Sequence, residues 1–232
     1  MQDNNEIIIE NFVAGISADN YDDFDQELDP AKLGQKLVQN NPLRGSVGEY
    51  QIYADRHMLL NLVKSKKARP KKYRVSLSYL LAEPEHYKMI AWKWLYACLS
   101  LLALTALFVT LVIKDMMPLA YGVTAAAVTF TAAVICALIF VYLMRDEYIF
   151  KGEFGGIELF RLENKKPNQK VCDEFLIVLQ NAIDKSKANI SVANRLVNEL
   201  KMCRRLKDEN IIDEDAYTAA RTAIFRHKQY KA

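Results

Sequence analysis

The side chains that most often carry chemistry are few in this chain and poorly spaced for it. The three histidines, His57, His86 and His227, stand far apart, and none has a cysteine or glutamate at a metal-ligand interval. The four cysteines, Cys98, Cys136, Cys172 and Cys203, show no paired spacing and read as small apolar residues, not as disulfides or ligands. No P-loop, dinucleotide fingerprint or nucleophile elbow occurs. Gly155-Gly156 lies between two strand-like runs and opens no helix, so it makes no phosphate cradle. Asp19, Asp22, Asp23, Asp25, Glu27 and Asp29 crowd together without the glycine and closing glutamate of a calcium loop. They read as part of a solvated acidic arm, with a cation or partner site as the rival reading. The expectation is a protein without catalytic residues, metal or cofactor, acting by binding.

One charged cluster has a chemistry of its own. Lys64, Lys66, Lys67, Arg69, Lys71 and Lys72 fall within nine residues, shortly before a long apolar stretch. Near a membrane each such cation attracts anionic lipid headgroups by about 1 kcal/mol. No aromatic interleaving or recognition helix accompanies them, so nucleic acid is not expected as a partner. A plainer role, fixing membrane orientation, is open to the same residues.

The elements that must position these groups are organised around that apolar stretch. Trp94–Ile113 holds twenty residues without a charge, Lys114-Asp115 interrupts, and Met116–Met144 adds twenty-nine more. About 20 apolar residues in a helix cross a hydrocarbon layer of roughly 30 Å. Pro118 marks the turn between two spans, and the pair reads as a transmembrane hairpin over residues 89–144. Gly122, Ala126, Thr129 and Ala133 give the second span a small-residue face for close helix packing. Its expected partners are Ala103, Ala106 and Thr110 of the first span, or another copy of the chain.

Charge sets the orientation. Residues 50–93 carry ten Lys/Arg against three acids, whereas the turn offers only Lys114 beside Asp115. The positive-inside rule then places both termini in the cytoplasm. Trp92, Trp94, Tyr96, Tyr142 and Tyr148 fall near the cytoplasmic ends, where amphipathic rings favour the interface.

Around the hairpin the chain reads as small α+β structure. Residues 1–48 form an acidic arm, with Ile7–Ile9 as a possible short strand and a helix from Asp29-Pro30 to about Val38. Glu49–Tyr53 and His57–Val63 are strand-like. Tyr73–Leu81 alternates, with Tyr73, Val75, Leu77 and Tyr79 on one face and Arg74, Ser76 and Ser78 on the other, as in a half-buried strand. Ala82–His86 is expected to lead directly into the membrane. After the hairpin, Glu147–Phe154 and Gly156–Leu162 are again strands. Asn168 then caps a helix whose apolar stripe is Phe175, Leu176, Leu179 and Ile183.

The run YIFKGEFGGIELFRL, the later Pro167 and CDEFLIVLQNAI, which closes at Ile183, resemble the end of bacterial two-span proteins of the YcxB-like type. Gly155, Pro167, Phe175 and Leu179 carry the likeness. The resemblance implies a membrane protein of α+β class. Its two-helix hairpin would be inserted in a small cytoplasmic PH-like sheet, 49–88 and 145–187, closed by a helix. It implies a membrane-attached scaffold and names no activity.

Ser191 can cap a following helix, and LKDENIIDEDAYTAARTAIF, Leu206–Phe225, is similar to the short C-terminal domain (SHOCT) of bacterial proteins. Leu206, Asn210, Ile211, Ile212, Asp213, Glu214, Asp215 and Tyr217 carry this second likeness, with Asn210 and Asp213 standing where the family usually has Gly and Thr. The resemblance implies that residues 191–232 are a helical interaction or self-association module, with Leu206, Asn210, Ile211, Asp213, Tyr217 and Ile224 as its interaction residues. The whole reads as a membrane-anchored scaffold or adaptor, with a small channel-like or membrane-active oligomer as the alternative.

Overall fold

The computed structural model describes residues 29–54, 56–63, 69–188 and 190–230. The expected strand at Ile7–Ile9, most of the acidic cluster, and Lys64, Lys66 and Lys67 lie outside them. Among the described residues the architecture is α+β, with two sheets and five helices. The chain divides into two compact units, one up to His86 together with the part from Tyr148 on, and one from Tyr87 to Glu147.

The first unit opens with four antiparallel strands in sequential order: β1 (Leu33–Asn41), β2 (Ser46–Tyr53), β3 (His57–Val63) and β4 (Lys71–Ser76). The helix expected to reach Val38 is therefore a strand. Asp29 does accept a hydrogen bond from the Ala31 amide at 2.9 Å, but it starts only a 3-10 turn, Pro30–Lys32. From Leu33 the burial alternates, bringing Leu37, Gln39 and Asn41 inward, and pairing with β2 overrides the local helical signal.

The expected strand Tyr73–Leu81 is also shorter. β4 ends at Ser76, and Leu77–Tyr79 forms a 3-10 turn. Arg74, Ser76 and Ser78, assigned to an open face, are buried. Helices cover that side: the Ser78 hydroxyl donates to the Ser186 carbonyl at 3.4 Å, and Arg205 donates to the Arg74 carbonyl. An alternating pattern reports one buried face only when the other is left to water.

A second sheet has the order β5 (Glu85–Met89), β6 (Arg145–Lys151), β7 (Glu158–Glu163). The segment expected to run straight towards the membrane thus contains a strand. In the chain, β5 is followed by the two long helices and these by β6. β7 lies at the edge of its sheet, and its outward carbonyls find partners in the first sheet. Tyr50 donates to the Arg161 carbonyl at 2.6 Å and Tyr73 to the Leu159 carbonyl at 2.8 Å. Burial pushes the Tyr73 hydroxyl far above the usual tyrosine range, so it stays a neutral donor. At the far end of β7, Gln39 binds the Glu163 backbone at both its amide and its carbonyl (2.9 and 2.8 Å), and the Asn41 amide meets the Glu163 carboxylate at 2.9 Å.

Three helices complete this unit: α3 (Gln169–Lys187), α4 (Val192–Asp208) and α5 (Glu214–Arg226), following the long helices α1 (Trp92–Ile113) and α2 (Leu119–Leu143). Asn168 and Ser191 cap α3 and α4 by accepting from the Lys170 and Asn194 amides. The stripe Phe175, Leu176, Leu179 and Ile183 is buried against the sheets. The same continuous core takes in Leu196, Leu200, Cys203 and Leu206 of α4 and Tyr217, Ala220 and Ile224 of α5. The tail is part of the sheet unit's core.

The other unit is the hairpin of α1 and α2. At 1.5 Å per residue they extend about 33 and 37 Å, and both are long and apolar enough to cross a membrane. α1 has no buried residue, and α2 buries only Gly122 and Ala133, so most of their apolar surface faces outward. Asp115 takes a left-handed conformation (φ 52°) in the turn, and Pro118 stands at the start of α2.

Candidate functional site

The site that the fold builds with most care lies where the tail meets the β6–β7 turn. The turn is closed by the Gly152 amide on the Ile157 carbonyl (2.9 Å) and the Gly156 amide on the Gly152 carbonyl (3.2 Å). Gly156 sits at φ 66°, a conformation that favours glycine. The Glu153 amide, bonded to the Tyr79 carbonyl at 2.8 Å, fixes the turn to the 3-10 turn that follows β4. The Phe154 and Gly155 amides are left pointing at α4.

Glu199 of α4 takes them. Its carboxylate accepts from the Phe154 amide at 3.0 and 3.2 Å and from the Gly155 amide at 2.8 Å, and the residue has no exposed surface. Two glycines make room for it. A Cβ on Gly152 would stand 2.4 Å from Glu199 Oε1, and one on Gly155 would stand 2.9 Å from the Ala220 methyl of α5. Beside this contact Glu153 binds Arg195 at 2.6 Å and Lys187 at 3.1 Å. The Arg195 guanidinium lies 5.5 Å over the Phe154 ring, whose edge also meets His227 at 5.2 Å. Backbone amides hold the buried acid, and the neighbouring cations are engaged by Glu153.

Burial has a clear electrostatic cost here. It pushes the Glu199 carboxyl up to about 7, against the opposing pull of the Gly155 and Phe154 amides. Burial first, and the Glu199 charge second, push the Cys203 thiol up to about 12. Cys203 is therefore an inert packing residue rather than a nucleophile. Among the described residues no group of three or more His, Cys, Asp or Glu could hold a metal ion.

The residues singled out in the tail fall on both sides of this contact. Leu206 and Ile224 are fully buried, Tyr217 is nearly so, and Ile211 packs partly against the core. Asn210 holds φ 55° where α4 stops, and the Ile211 amide bonds back to the Leu206 carbonyl at 2.8 Å. Asp213 caps α5 by accepting from the Ala216 amide at 2.8 Å. Lys207 reaches Glu214 at 3.4 Å and stands 4.7 Å over the Tyr217 ring. The apolar members of this set are thus turned into the protein's own core.

Of the basic connector, Arg69, Lys71 and Lys72 are exposed, and the Lys71 ammonium donates to the Asn210 carbonyl at 2.7 Å. That bond ties the connector to the α4–α5 turn. The small face of α2 packs within the hairpin: Gly122 and Ala133 are buried, Ala126 and Thr129 half-buried, and Thr129 shares a 2.8 Å hydrogen bond with Thr105. Ala103, Ala106 and Thr110 are exposed instead of facing it. The opposing face of α1 is Leu101, Thr105, Phe108 and Val112, at helical spacing.

Reading for catalytic motifs passes over Glu199 and Gly152, and weighs Gly155 only as part of a phosphate cradle. The available signal was modest: Glu199 interrupts the apolar stripe Leu196, Leu200, Cys203 on its buried side, where a charge needs partners. Comparison with protein-family models, curated proteins and solved structures finds no match for the chain.

Proposed function

We propose that this chain is a non-catalytic integral membrane protein of a bacterial-type inner membrane, acting as a scaffold or adaptor. Both termini lie in the cytoplasm. The sheet unit is a PH-like module into which the hairpin is inserted between β5 and β6, and the tail is SHOCT-like. The observation that carries the reading is the combination of two outward-facing apolar helices with a four-plus-three-stranded unit closed by α3. α3 also leaves Val171, Ile177 and Val178 exposed, 41%, 59% and 41%, an apolar surface suited to a protein partner. Against the channel-like alternative stands the use of the small face within one hairpin.

The test uses the full chain. A photo-crosslinker at Ile177 in native membranes is expected to trap a protein partner or a second copy. The purified protein in liposomes is expected to leave them tight to ions and small dyes. Dye leakage proportional to protein content, with no crosslink at Ile177, would favour the channel-like reading instead.

A further inference from the structure

We propose that the end of the hairpin where α1 starts and α2 stops binds the phosphate of anionic phospholipids, through Lys88, Lys93 and Arg145. The site presupposes that α1 and α2 are membrane spans, as proposed above, and gives that membrane a preferred lipid.

Short connections bring three cations to one end of the hairpin. Lys88 lies on β5, shortly before α1 begins at Trp92, and Lys93 is in the first turn of α1. Arg145 opens β6, just after α2 ends at Leu143. β5 and β6 are neighbours in their sheet, about 4.8 Å apart, so the entering and leaving segments meet here. All three side chains are exposed, and none has an ion-pair partner among the described residues. The acids of this end, Asp146 and Glu147, are half-buried and buried. The outward charge is therefore positive.

Aromatic rings set the depth of these cations. Trp92 and Trp94 flank Lys93 in the chain, and Tyr142 shortly precedes Arg145; the three rings are 52%, 37% and 53% exposed. Trp92 stacks on Tyr96 with ring centroids 6.2 Å apart. Indole and phenol rings favour the headgroup level of a bilayer. Cations beside them stand at the level of the lipid phosphates, and that is the anion this depth supplies. Arg145 can offer such a phosphate two parallel donors, and the lysines offer point charges. The turn at the other end holds Lys114 beside Asp115 and no tryptophan, so charge and rings coincide at one leaflet only.

The site differs from the basic connector. Lys88, Lys93 and Arg145 belong to the hairpin's own compact unit, whereas Arg69, Lys71 and Lys72 belong to the sheet unit. One cation at a headgroup surface raises the local share of anionic lipid roughly fivefold. Salt screens the attraction beyond about 8 Å at physiological ionic strength.

Trp92 and Trp94 are the chain's two tryptophans, so its intrinsic fluorescence reports from the site itself. The full chain is reconstituted in phosphatidylcholine vesicles. They carry a small fraction of either phosphatidylglycerol or phosphatidylcholine, brominated in the acyl chains near the headgroup. Brominated phosphatidylglycerol is expected to quench at a roughly fivefold lower fraction than brominated phosphatidylcholine. The difference is expected to shrink in about 1 M salt, where screening sets in within about 3 Å. Combining Lys88→Gln, Lys93→Gln and Arg145→Gln is expected to equalise the two lipids, and each change alone to remove part of the preference. Combining Arg69→Gln, Lys71→Gln and Lys72→Gln is expected to leave the preference intact. Equal quenching by the two lipids in the native chain overturns the lipid site and leaves the spans standing. No quenching by either lipid puts the rings outside the bilayer and overturns site and spans together. A preference that survives the three hairpin changes, or is lost with the three connector changes, belongs to other charges and overturns the site as well.

Discussion

Replacing Leu206 by alanine is expected to destabilise the whole sheet unit by about 2–5 kcal/mol, the usual cost of emptying a buried leucine site. Leu206 has no exposed surface and lies in the core that also holds Leu80, Phe150 and Phe175. Were the tail a separate hairpin, the loss would stop at α4 and α5. The measurement is urea unfolding of the full chain, together with the protection of Cys172, fully buried on α3, from a thiol reagent. Both are expected to fall with Leu206→Ala. Asp213→Ala is expected to act in the same direction by only about 0.5–2 kcal/mol, because an N-cap offers one orphan amide a partner. An unfolding midpoint and a Cys172 protection that ignore Leu206→Ala would show that the tail folds alone.

The second large effect belongs to the hairpin. A Cβ on Gly122 would stand 2.0 Å from Val112 Cγ2, and valine is stiff at χ1, so the neighbour cannot swing clear. Gly122→Leu must then push the two backbones apart, at about 1–3 kcal/mol for overpacking. The Thr105–Thr129 hydrogen bond would go with it, worth about 0.6 kcal/mol in a membrane setting. With cysteines placed at 105 and 129, crosslinking within the hairpin is expected to be efficient in the native background and lost with Gly122→Leu. Val128→Leu, at a position 69% exposed, should leave it unchanged. An undiminished crosslink in Gly122→Leu would mean that the Gly122 face meets lipid.

The two long apolar helices, the α3 stripe and the caps at Asn168, Ser191 and Asp213 were legible because each depends on a short local signal. β1 was misread because Asp29-Pro30 starts a turn that tertiary pairing does not continue as helix. β5 gave no pattern, since most of its side chains are exposed. The docking of the tail was hidden for a different reason. Arg74, Ser76 and Ser78 look like a wet face, yet they lie under α3 and α4, where backbone carbonyls and hydroxyls find partners far along the chain. The same distance hid the carboxylate of Glu199, whose amide donors lie 44 and 45 residues earlier in the chain. Partners at such separation leave no periodic trace.

If α1 and α2 cross the membrane and return, both ends of the chain share one side. The most direct measurement is labelling of Lys114→Cys and Ala232→Cys with a membrane-impermeant thiol reagent, in intact cells and in inverted membrane vesicles, with the modified position read by mass spectrometry. The residue 114 position is expected to react in intact cells and the residue 232 position only in inverted vesicles. Reaction of both positions from the same side would contradict it.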